Sequence, residues 1–363
     1  MFTLAIIVVF FTMLQLMVAA ANLLLKPDLD DNLNDTDYLV SVLIPARNEA
    51  KNIGIILNDV CRQPYKNLEI IVFDDQSEDG TARIVEEIAK TDSRIQLVRS
   101  DNLPAGWLGK NFACHSLATQ AKGDYLLFLD ADVRIQGDII RQVTGYAEKH
   151  KLGLLSLFPR QQMVSFGEKI TVPVMNFILL TLLPLPFVLW SRFASLAAAN
   201  GQFMLFNTQI YKSLNPHEYK RKHKVEDIAI ARYFKHKRIP VACLTGDESI
   251  QCRMYRGFDE AVNGFSKNIT AFFGNSFLPG VLFWLTTTLG IIPVFISFQF
   301  GIVICYIFMV VVIRILVSVT SKQSIRNNLL YLIPQQLVIG WLLFRAFTFK
   351  YLIQYQWKGR NIG

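Results

Sequence analysis

The sequence predicts an α/β protein: a doubly wound, mostly parallel sheet, with N-terminal and C-terminal transmembrane helices. Three observations lead there. Between residue 38 and about residue 158, short runs of branched and aromatic residues alternate with helical patterns, the arrangement that builds a parallel sheet with helices on both faces. Two of the runs stop at acids, Asp74-Asp75 and Asp130-Ala131-Asp132, so both sets fall on the carboxyl edge where open sheets bind ligands. Finally, 52% of the chain is hydrophobic and only 18% charged, below the roughly 25% of a soluble domain, so part of it belongs in a membrane.

Leu4 to Leu25 is almost wholly apolar and about long enough to span a bilayer. Met17-Val18-Ala19-Ala20-Ala21 could pass for a signal cleavage site, but no Lys or Arg precedes the run and it is too long for a signal peptide. Residues 1–25 therefore read as a retained anchor. Lys26 is the first positive charge, which puts the following domain on the cytoplasmic side. An acidic, Asn-rich linker fills 26–37.

A catalytic-sized domain at 38–275 comes next. Tyr38 to Ile44 reads as a strand, and Pro45-Ala46-Arg47-Asn48-Glu49 turns it into a helix that runs to about Arg62. Leu68 to Phe73 is a second strand, followed across Ser77-Glu78-Asp79-Gly80 by a helix at Thr81 to Lys90. Arg94 to Val98 is a third strand; a helix at Asn111 to Ala121 and the strand Tyr125 to Leu129 follow. A helix at Ile139 to His150 and a strand at Gly153 to Phe158 complete the alternation. Alternate strand residues share a face, so Asp130 and Asp132 point the same way. Two hard oxygen ligands suit Mg2+ or Mn2+ shared with substrate phosphates. Read alone, the pair is more simply an Asp-rich turn.

No Gly-x-Gly-x-x-Gly follows the first strand and no Gly-x-x-x-x-Gly-Lys-Ser/Thr occurs, which disfavours a dinucleotide dehydrogenase and a P-loop ATPase. In Gly106-Trp107-Leu108-Gly109-Lys110 the glycines allow tight backbone and Lys110 opens a helix. Both features suit a diphosphate, and equally a glycine loop with a solvated lysine.

Residues 170–206 are apolar but broken by Pro173, Pro184, Pro186 and Arg192. A crossing here would separate the later charged segment from Asp130, so the expectation is a helix lying in the cytoplasmic interface; a buried helical hairpin is the alternative. Glu226-Asp227 opens a helix, where acids are favoured by the dipole in any protein. Arg253-Met254-Tyr255-Arg256 follows a strand, and Gly257 to Phe273 reads as an amphipathic interfacial helix. The C-terminal region, 276–363, carries apolar spans at Val281 to Phe298 and Ile302 to Thr320 and a third segment at Leu329 to Phe349. Counting spans puts the basic tail outside, whereas its charges argue for inside; a re-entrant last segment reconciles the two.

The net charge is +8, crowded at 212–238 and 253–267. No nucleic-acid motif accompanies it, so the charge points to membrane and phosphate, not nucleic acid. The five cysteines, odd in number and without a Cys-x-x-Cys pair, argue against a disulfide framework or zinc site and for a reducing, cytosol-facing domain.

Collected, these pieces resemble a membrane-anchored family 2 glycosyltransferase of GT-A fold. Pro45-Ala46-Arg47-Asn48-Glu49 looks like the first nucleotide-binding turn, and Asp74-Asp75-Gln76-Ser77-Glu78-Asp79-Gly80-Thr81 like the family's Asp-Asp-x-Ser-x-Asp-x-Thr. Asp130-Ala131-Asp132 resembles the metal-binding Asp-x-Asp, and Glu226-Asp227 the acceptor-side acid pair. Gly106 to Lys110, Arg253-Met254-Tyr255 and Trp357-Lys358-Gly359-Arg360 narrow the resemblance to the diaponeurosporenoate and hopene-associated glycosyltransferases. Processive polymer synthases carry Gln-x-x-Arg-Trp; Gln251-Cys252-Arg253-Met254-Tyr255 differs in spacing and lacks the Trp, which argues against a polymer product.

The resemblance implies an inverting transfer of a hexose, glucose by preference, from a UDP-sugar to a membrane lipid such as a carotenoid or other isoprenoid. It implies Pro45, Ala46, Arg47, Glu49 and Asp75 around the nucleotide, Lys110 on the diphosphate, Asp130 on ribose or metal, and Asp132 on Mg2+ or Mn2+. It implies Asp227 as general base, with Glu226, Arg253 and Tyr255 on the acceptor side. The helix start is expected to keep Asp227 ionised. A carboxylic acid acceptor is already ionised and needs no base, so the retained acid pair leans towards a hydroxyl acceptor. The alternatives are a polyprenyl-phosphate glycosyltransferase and a non-catalytic scaffold that binds nucleotide or lipid. The implied location is the cell membrane, multi-pass, with the catalytic domain on the cytoplasmic face.

Overall fold

The computed structural model describes residues 1–27, 29, 37–352, 356–357 and 360–361. The linker at 26–37 lies mostly outside the described residues, as do Lys358 and Gly359 of the terminal motif. The N-terminal helix α1 (Phe2–Leu24) precedes strand β1 (Val40–Ala46), helix α2 (Ile53–Cys61), β2 (Leu68–Asp74), α3 (Thr81–Ala89), β3 (Ile95–Arg99), α4 (Gly109–Gln120) and β4 (Tyr125–Leu129). Next come β5 (Val133–Ile135), α5 (Ile139–Lys149), β6 (Leu154–Phe158), β7 (Arg160–Gln161), α6 (Phe166–Thr171), α7 (Pro173–Leu182) and α8 (Pro186–Trp190). They are followed by β8 (Phe203–Asn207), α9 (Thr208–Leu214), α10 (Pro216–Tyr219), α11 (Glu226–His236), β9 (Val241–Thr245) and β10 (Ile250–Cys252).

Seven strands form one sheet in the order β3-β2-β1-β4-β8-β6-β9. β1 pairs in parallel with β2 on one side and β4 on the other. Pro45, which has no N–H, sits beyond the last β1–β4 pair, Leu43 with Phe128, where the missing donor costs nothing to that ladder. The period of two is plain in the packing. Leu43, Ile71, Phe73, Leu126 and Phe128 face one core with α4 and α11, while Val42, Ile44, Ile70, Val72, Leu127 and Leu129 face another with α2 and α5. Both faces are covered, so these strands read as continuous apolar runs.

The predicted alternation therefore holds, with one difference in the 170–206 segment. Phe203–Asn207 is not part of an interfacial helix. It is β8, antiparallel between β4 and β6 near the middle of the sheet. A four-residue apolar run buried on both sides carries no period that separates strand from helix. The preceding helix α7 is buried: Val174, Phe177, Ile178 and Leu180 pack in the same core as α4 and α11. Asn22 of α1 fixes the end of α7, donating to the carbonyls of Leu180 (3.0 Å) and Leu183 (2.9 Å).

The C-terminal part comprises α12 (Phe258–Asn268), a 3₁₀ turn at Ile269–Phe273, α13 (Phe277–Leu289), α14 (Ile291–Ser297), α15 (Phe300–Thr320), α16 (Ile325–Leu330) and α17 (Leu332–Leu352). The span read at Val281 to Phe298 is two helices, α13 and α14. Pro293 cannot donate to Leu289, and the helix breaks at that carbonyl. Among the described residues, α1 and α15 are long and apolar enough to cross a membrane, and a third crossing is possible if α12 and α13, which meet at 99°, count as one broken span. Arg314 on α15 is buried, its guanidinium carbon 3.7 Å from the Phe177 ring centroid, and it donates to Gln335 Oε1 of α17 (3.0 Å). The polar break at Gln335 is thus the partner of a buried arginine.

Candidate active site

Because β1 lies between β2 and β4, the carboxyl ends of all three strands sit side by side. The loops beyond β1 and β2 are laced together. Asn48 takes the left-handed conformation (φ 52°), one that Asn tolerates. Its N–H donates to Ser77 Oγ (2.9 Å), the N–H of Glu49 to Thr81 Oγ1 (2.8 Å), and that of Ala50 to Asp79 Oδ2 (3.0 Å). The N–H of Glu78 returns to Asn48 Oδ1 at 2.9 Å. Arg47 Nη1 donates to the carbonyl of Asp75 (2.6 Å), and the Asp75 N–H to that of Ala46 (2.8 Å). The two motifs read separately in sequence, 45–49 and 74–81, are one clamp. Ser77, Asp79 and Thr81 use their side chains to hold the first loop, and Asp75 is left 3% exposed at the sheet edge.

Across that edge stands a cluster around Lys110. The lysine lies in the first turn of α4, where side chains lean back towards the helix start. Its Nζ is 2.9 Å from Asp130 Oδ1 and 3.5 Å from Glu226 Oε1, and it donates to the Gly201 carbonyl at 3.4 Å. Burial alone would lower its pKa, but Asp130 and Glu226 hold it well above the ordinary lysine value. Lys110 is thus enclosed by carboxylates, joining Asp130 at the end of β4 to Glu226 at the start of α11.

Asp227 follows Glu226 in the first turn of α11. Its Oδ2 accepts from the N–H of Gly201 (2.9 Å) and its Oδ1 from that of Ile228 (2.7 Å). The helix start does not settle its charge. Burial, and then the neighbouring Glu226 charge, raise its pKa to about 7, outweighing the two N–H groups and Lys110. The dipole, worth about 1 kcal/mol, is smaller than the desolvation of a buried carboxylate.

Asp132 rises to about 7 for the same first reason, burial, reinforced by Asp130 and Glu49. Its Oδ1 is buried without a hydrogen-bond partner, while the Cys252 thiol donates to the carboxylate. Among the described residues no three His, Cys, Asp or Glu side chains gather as a closed metal cage. A partnerless buried carboxylate oxygen fits a divalent ion that takes its remaining ligands from substrate and water.

Arg253 and Tyr255 fall differently. Arg253 Nη2 lies 3.0 Å from Oε1 of Glu168 on α6. Burial would raise Glu168, yet the Arg253 pair and the Val164 N–H hold it at about 2. Tyr255 packs edge-on to Phe265 at 4.9 Å and lies within the field of Asp132, which, after burial, pushes its phenol upward.

Sequence reasoning missed Asn200, Gly201, Gln202 and Cys252. The Asn200 N–H donates to Ser156 Oγ at 2.8 Å, the Asp130 N–H to the Gln202 carbonyl at 3.1 Å, and Gln202 Nε2 to Cys252 Sγ at 2.9 Å. A Cβ on Gly201 would meet Lys110 Nζ at 3.2 Å and Glu226 Oε1 at 3.3 Å. The available signal was a polar triplet, Asn-Gly-Gln, inside an apolar segment.

Residues 41–181 match the family model described as Glycosyl transferase family 2. The chain is 29% identical over 244 residues to 4,4'-diaponeurosporenoate glycosyltransferase of Staphylococcus haemolyticus, covering 65% of this chain and 62% of that protein. It is 27% identical over 265 residues to the protein of the same name from Staphylococcus aureus, covering 70% of this chain and 67% of that one. The chain thus spans about 62% of the length of the first of these relatives. Among solved structures, a mannosyltransferase from Pyrobaculum calidifontis in complex with GDP-Man and Mn2+ matches with a TM-score of 0.56 at 15% identity, covering 95% of this chain and 98% of that one. That likeness concerns the fold, and the fold is the GT-A arrangement that the motifs imply.

Proposed function

We propose, from the premise that residues 41–181 are a family 2 glycosyl transferase domain, that the protein is an inverting hexosyltransferase acting at the cytoplasmic face of the cell membrane. Its donor is a UDP-sugar, glucose by preference, and its acceptor a carotenoid or other isoprenoid lipid. The observation that carries the reading is the Lys110 bridge between Asp130 and Glu226. It brings the end of β4 and the start of α11 together over the sheet edge, with Asp227 one residue further on; in this reading the first is the donor side and the second the acceptor side.

In this reading the 45–49 turn and Asp75 seat the nucleotide base, the clamp from Ser77, Asp79 and Thr81 having fixed that loop beforehand. Asp132, with Asp130 beside it, would hold Mg2+ or Mn2+. When bound, such an ion neutralises the diphosphate leaving group, where negative charge develops. Asp227 takes the proton from an acceptor hydroxyl; a base with a pKa near 7 is well matched to that task. The curated relatives are named for a carboxylate, diaponeurosporenoate, and a carboxylate acceptor would not need the base. The acid pair supports a hydroxyl.

Full-length protein in membrane lipid, given radiolabelled UDP-glucose and a divalent cation, should release UDP and label the lipid fraction. Mass spectrometry of that fraction separates the acceptors. An alkali-stable glycoside supports the hydroxyl reading and an alkali-labile ester the carboxylate. An acid-labile phosphosugar would replace both with a polyprenyl-phosphate acceptor, and absence of UDP release would leave a binding scaffold.

A further inference from the structure

On the face of α11 turned away from Asp227, the surface opens into a cavity of about 980 Å³. Six lysine and arginine side chains line it, Lys220, Lys222, Lys224, Arg232, Lys237 and Lys267, with two histidines and, among the described residues, no carboxylate. One wall is the 220–224 loop and the outer stripe of α11. The facing wall comes from α12, the 3₁₀ turn and the first residue of α13, which is the foot of the bent apolar helix pair. Helix α11 itself stands between the cavity and the acids. Its Glu226, Ile230, Ala231 and Phe234 are buried on the other side, so the cavity is separate from the transfer site.

The basic loop is built rather than loose. Asn111 Nδ2 donates to the carbonyls of Lys220, Arg221 and His223, each at 3.1 Å, and the Leu108 N–H to that of Arg221 at 3.0 Å. Tyr219 and Tyr233 stack at 4.4 Å, and Lys220 Nζ sits 4.6 Å from the Tyr219 ring centroid. A fixed concavity ringed by like charges, with an apolar helix at its foot, matches a ligand that is anionic at one end and greasy at the other.

We propose that this cavity seats the phosphate headgroup of an anionic membrane phospholipid, a resident of the bilayer and not the acceptor. Free phosphate offers the same headgroup chemistry, but the apolar helix pair that rises from the cavity at Phe277 distinguishes the lipid. The site does not depend on the transferase reading and is tested without any transfer. Full-length protein in neutral detergent is titrated with short-chain phosphatidylglycerol, with phosphatidylcholine of the same chains, and with sodium phosphate. Bound lipid is counted by native mass spectrometry and the thermal midpoint is followed. Phosphatidylglycerol should bind and raise the midpoint, phosphatidylcholine should do neither, and phosphate should act only at far higher concentration.

Lys222→Gln, Arg232→Gln and Lys237→Gln together should weaken phosphatidylglycerol roughly a hundredfold, about fivefold for each charge removed, with the lipid-free midpoint unchanged. The single Arg232→Gln, the milder change, should lose about fivefold. Equal binding of the two lipids, phosphate binding as tightly as phosphatidylglycerol, or wild-type affinity in both variants overturns the proposal.

Discussion

Asp227 carries the sharpest consequences at the scale of single residues. Its pKa of about 7 lies above the unfolded value of about 3.9, so between those values the folded chain binds the proton and the unfolded chain does not. Stability therefore falls as pH rises from about 4 to about 7. Asp227→Asn should remove its share of that slope, the rest staying with Asp132, and stabilise the chain at pH 8 by an amount on the order of 1 kcal/mol. The same variant should slow transfer to a hydroxyl acceptor by about 10²–10⁴, while UDP release to water stays measurable. In wild type, kcat/KM for the acceptor should show an acidic limb near 7; a flat profile from pH 5 to 9 would remove Asp227 as the base. Gly201→Ala is a second test. The added methyl would press on Lys110 Nζ at 3.2 Å and Glu226 Oε1 at 3.3 Å. Transfer should fall about tenfold with the thermal midpoint nearly unchanged, as expected when positioning rather than packing is disturbed. The identities of Asp130, Asp132, Glu226 and Asp227 were legible from motif spacing. The raised pKa values of Asp132 and Asp227 were not, because their burial and the charges around them come from chain segments that the sequence holds far apart.

At the scale of elements, legibility followed periodicity. Strands β1, β2 and β4 and their helices are announced by apolar runs between turn residues, and the order of acids along the edge follows from parallel pairing. β8 was hidden because a four-residue apolar run buried on both faces shows no period of two, and it closes a segment that is apolar as a whole. Arg253 was read by its motif position, but its partner Glu168 lies on α6, which no local pattern connects to β10. This pair ties the small three-stranded sheet β5-β10-β7 to the helices beneath it. Arg253→Met leaves a 1%-exposed carboxylate without its cation; with Arg253 itself 34% exposed and two other donors still in place, the loss should be about 1–3 kcal/mol. Adding Glu168→Gln should recover more than half of the lost midpoint. The pair also has a pH signature. Glu168 is held at about 2, below its unfolded value of about 4.3, so its contribution is full above that value and disappears as pH falls towards 2. Arg253→Met should flatten the acid side of the stability profile. A variant with wild-type stability but a raised acceptor KM would instead return Arg253 to the acceptor site.

The whole molecule is bound by a core that ignores the division read from the sequence into anchor, catalytic domain and membrane region. Sheet residues Phe128 and Phe206, α7 residues Val174, Phe177 and Ile178, and Phe283, Ile313, Val317, Ile339 and Leu342 of the C-terminal helices belong to one buried cluster. Hydropathy separates these segments because their compositions differ, yet α7 packs on α1, α15 and α17 and shares one buried cluster with the sheet. Asn22 adds a polar fastening from α1 to the end of α7, accepting from the Leu185 N–H at 2.6 Å as well as donating to two carbonyls. A fragment of residues 38–275 should therefore fail as a soluble domain. Each buried aliphatic or aromatic side chain exposed by the cut forfeits about 1.5–3 kcal/mol, and a handful of them matches the whole stability of a typical domain, about 5–15 kcal/mol. The fragment should need detergent to stay monomeric, bind a dye for apolar surface, and lose its sharp thermal transition. The full chain in detergent should instead unfold in one transition, with the loss of helix and of nucleotide affinity coinciding. Two separate transitions, or a monomeric fragment that melts within about 5 °C of the full chain, would show that the sheet holds its own core, and α7 would then be a lid over that core and not the joint between domain and membrane.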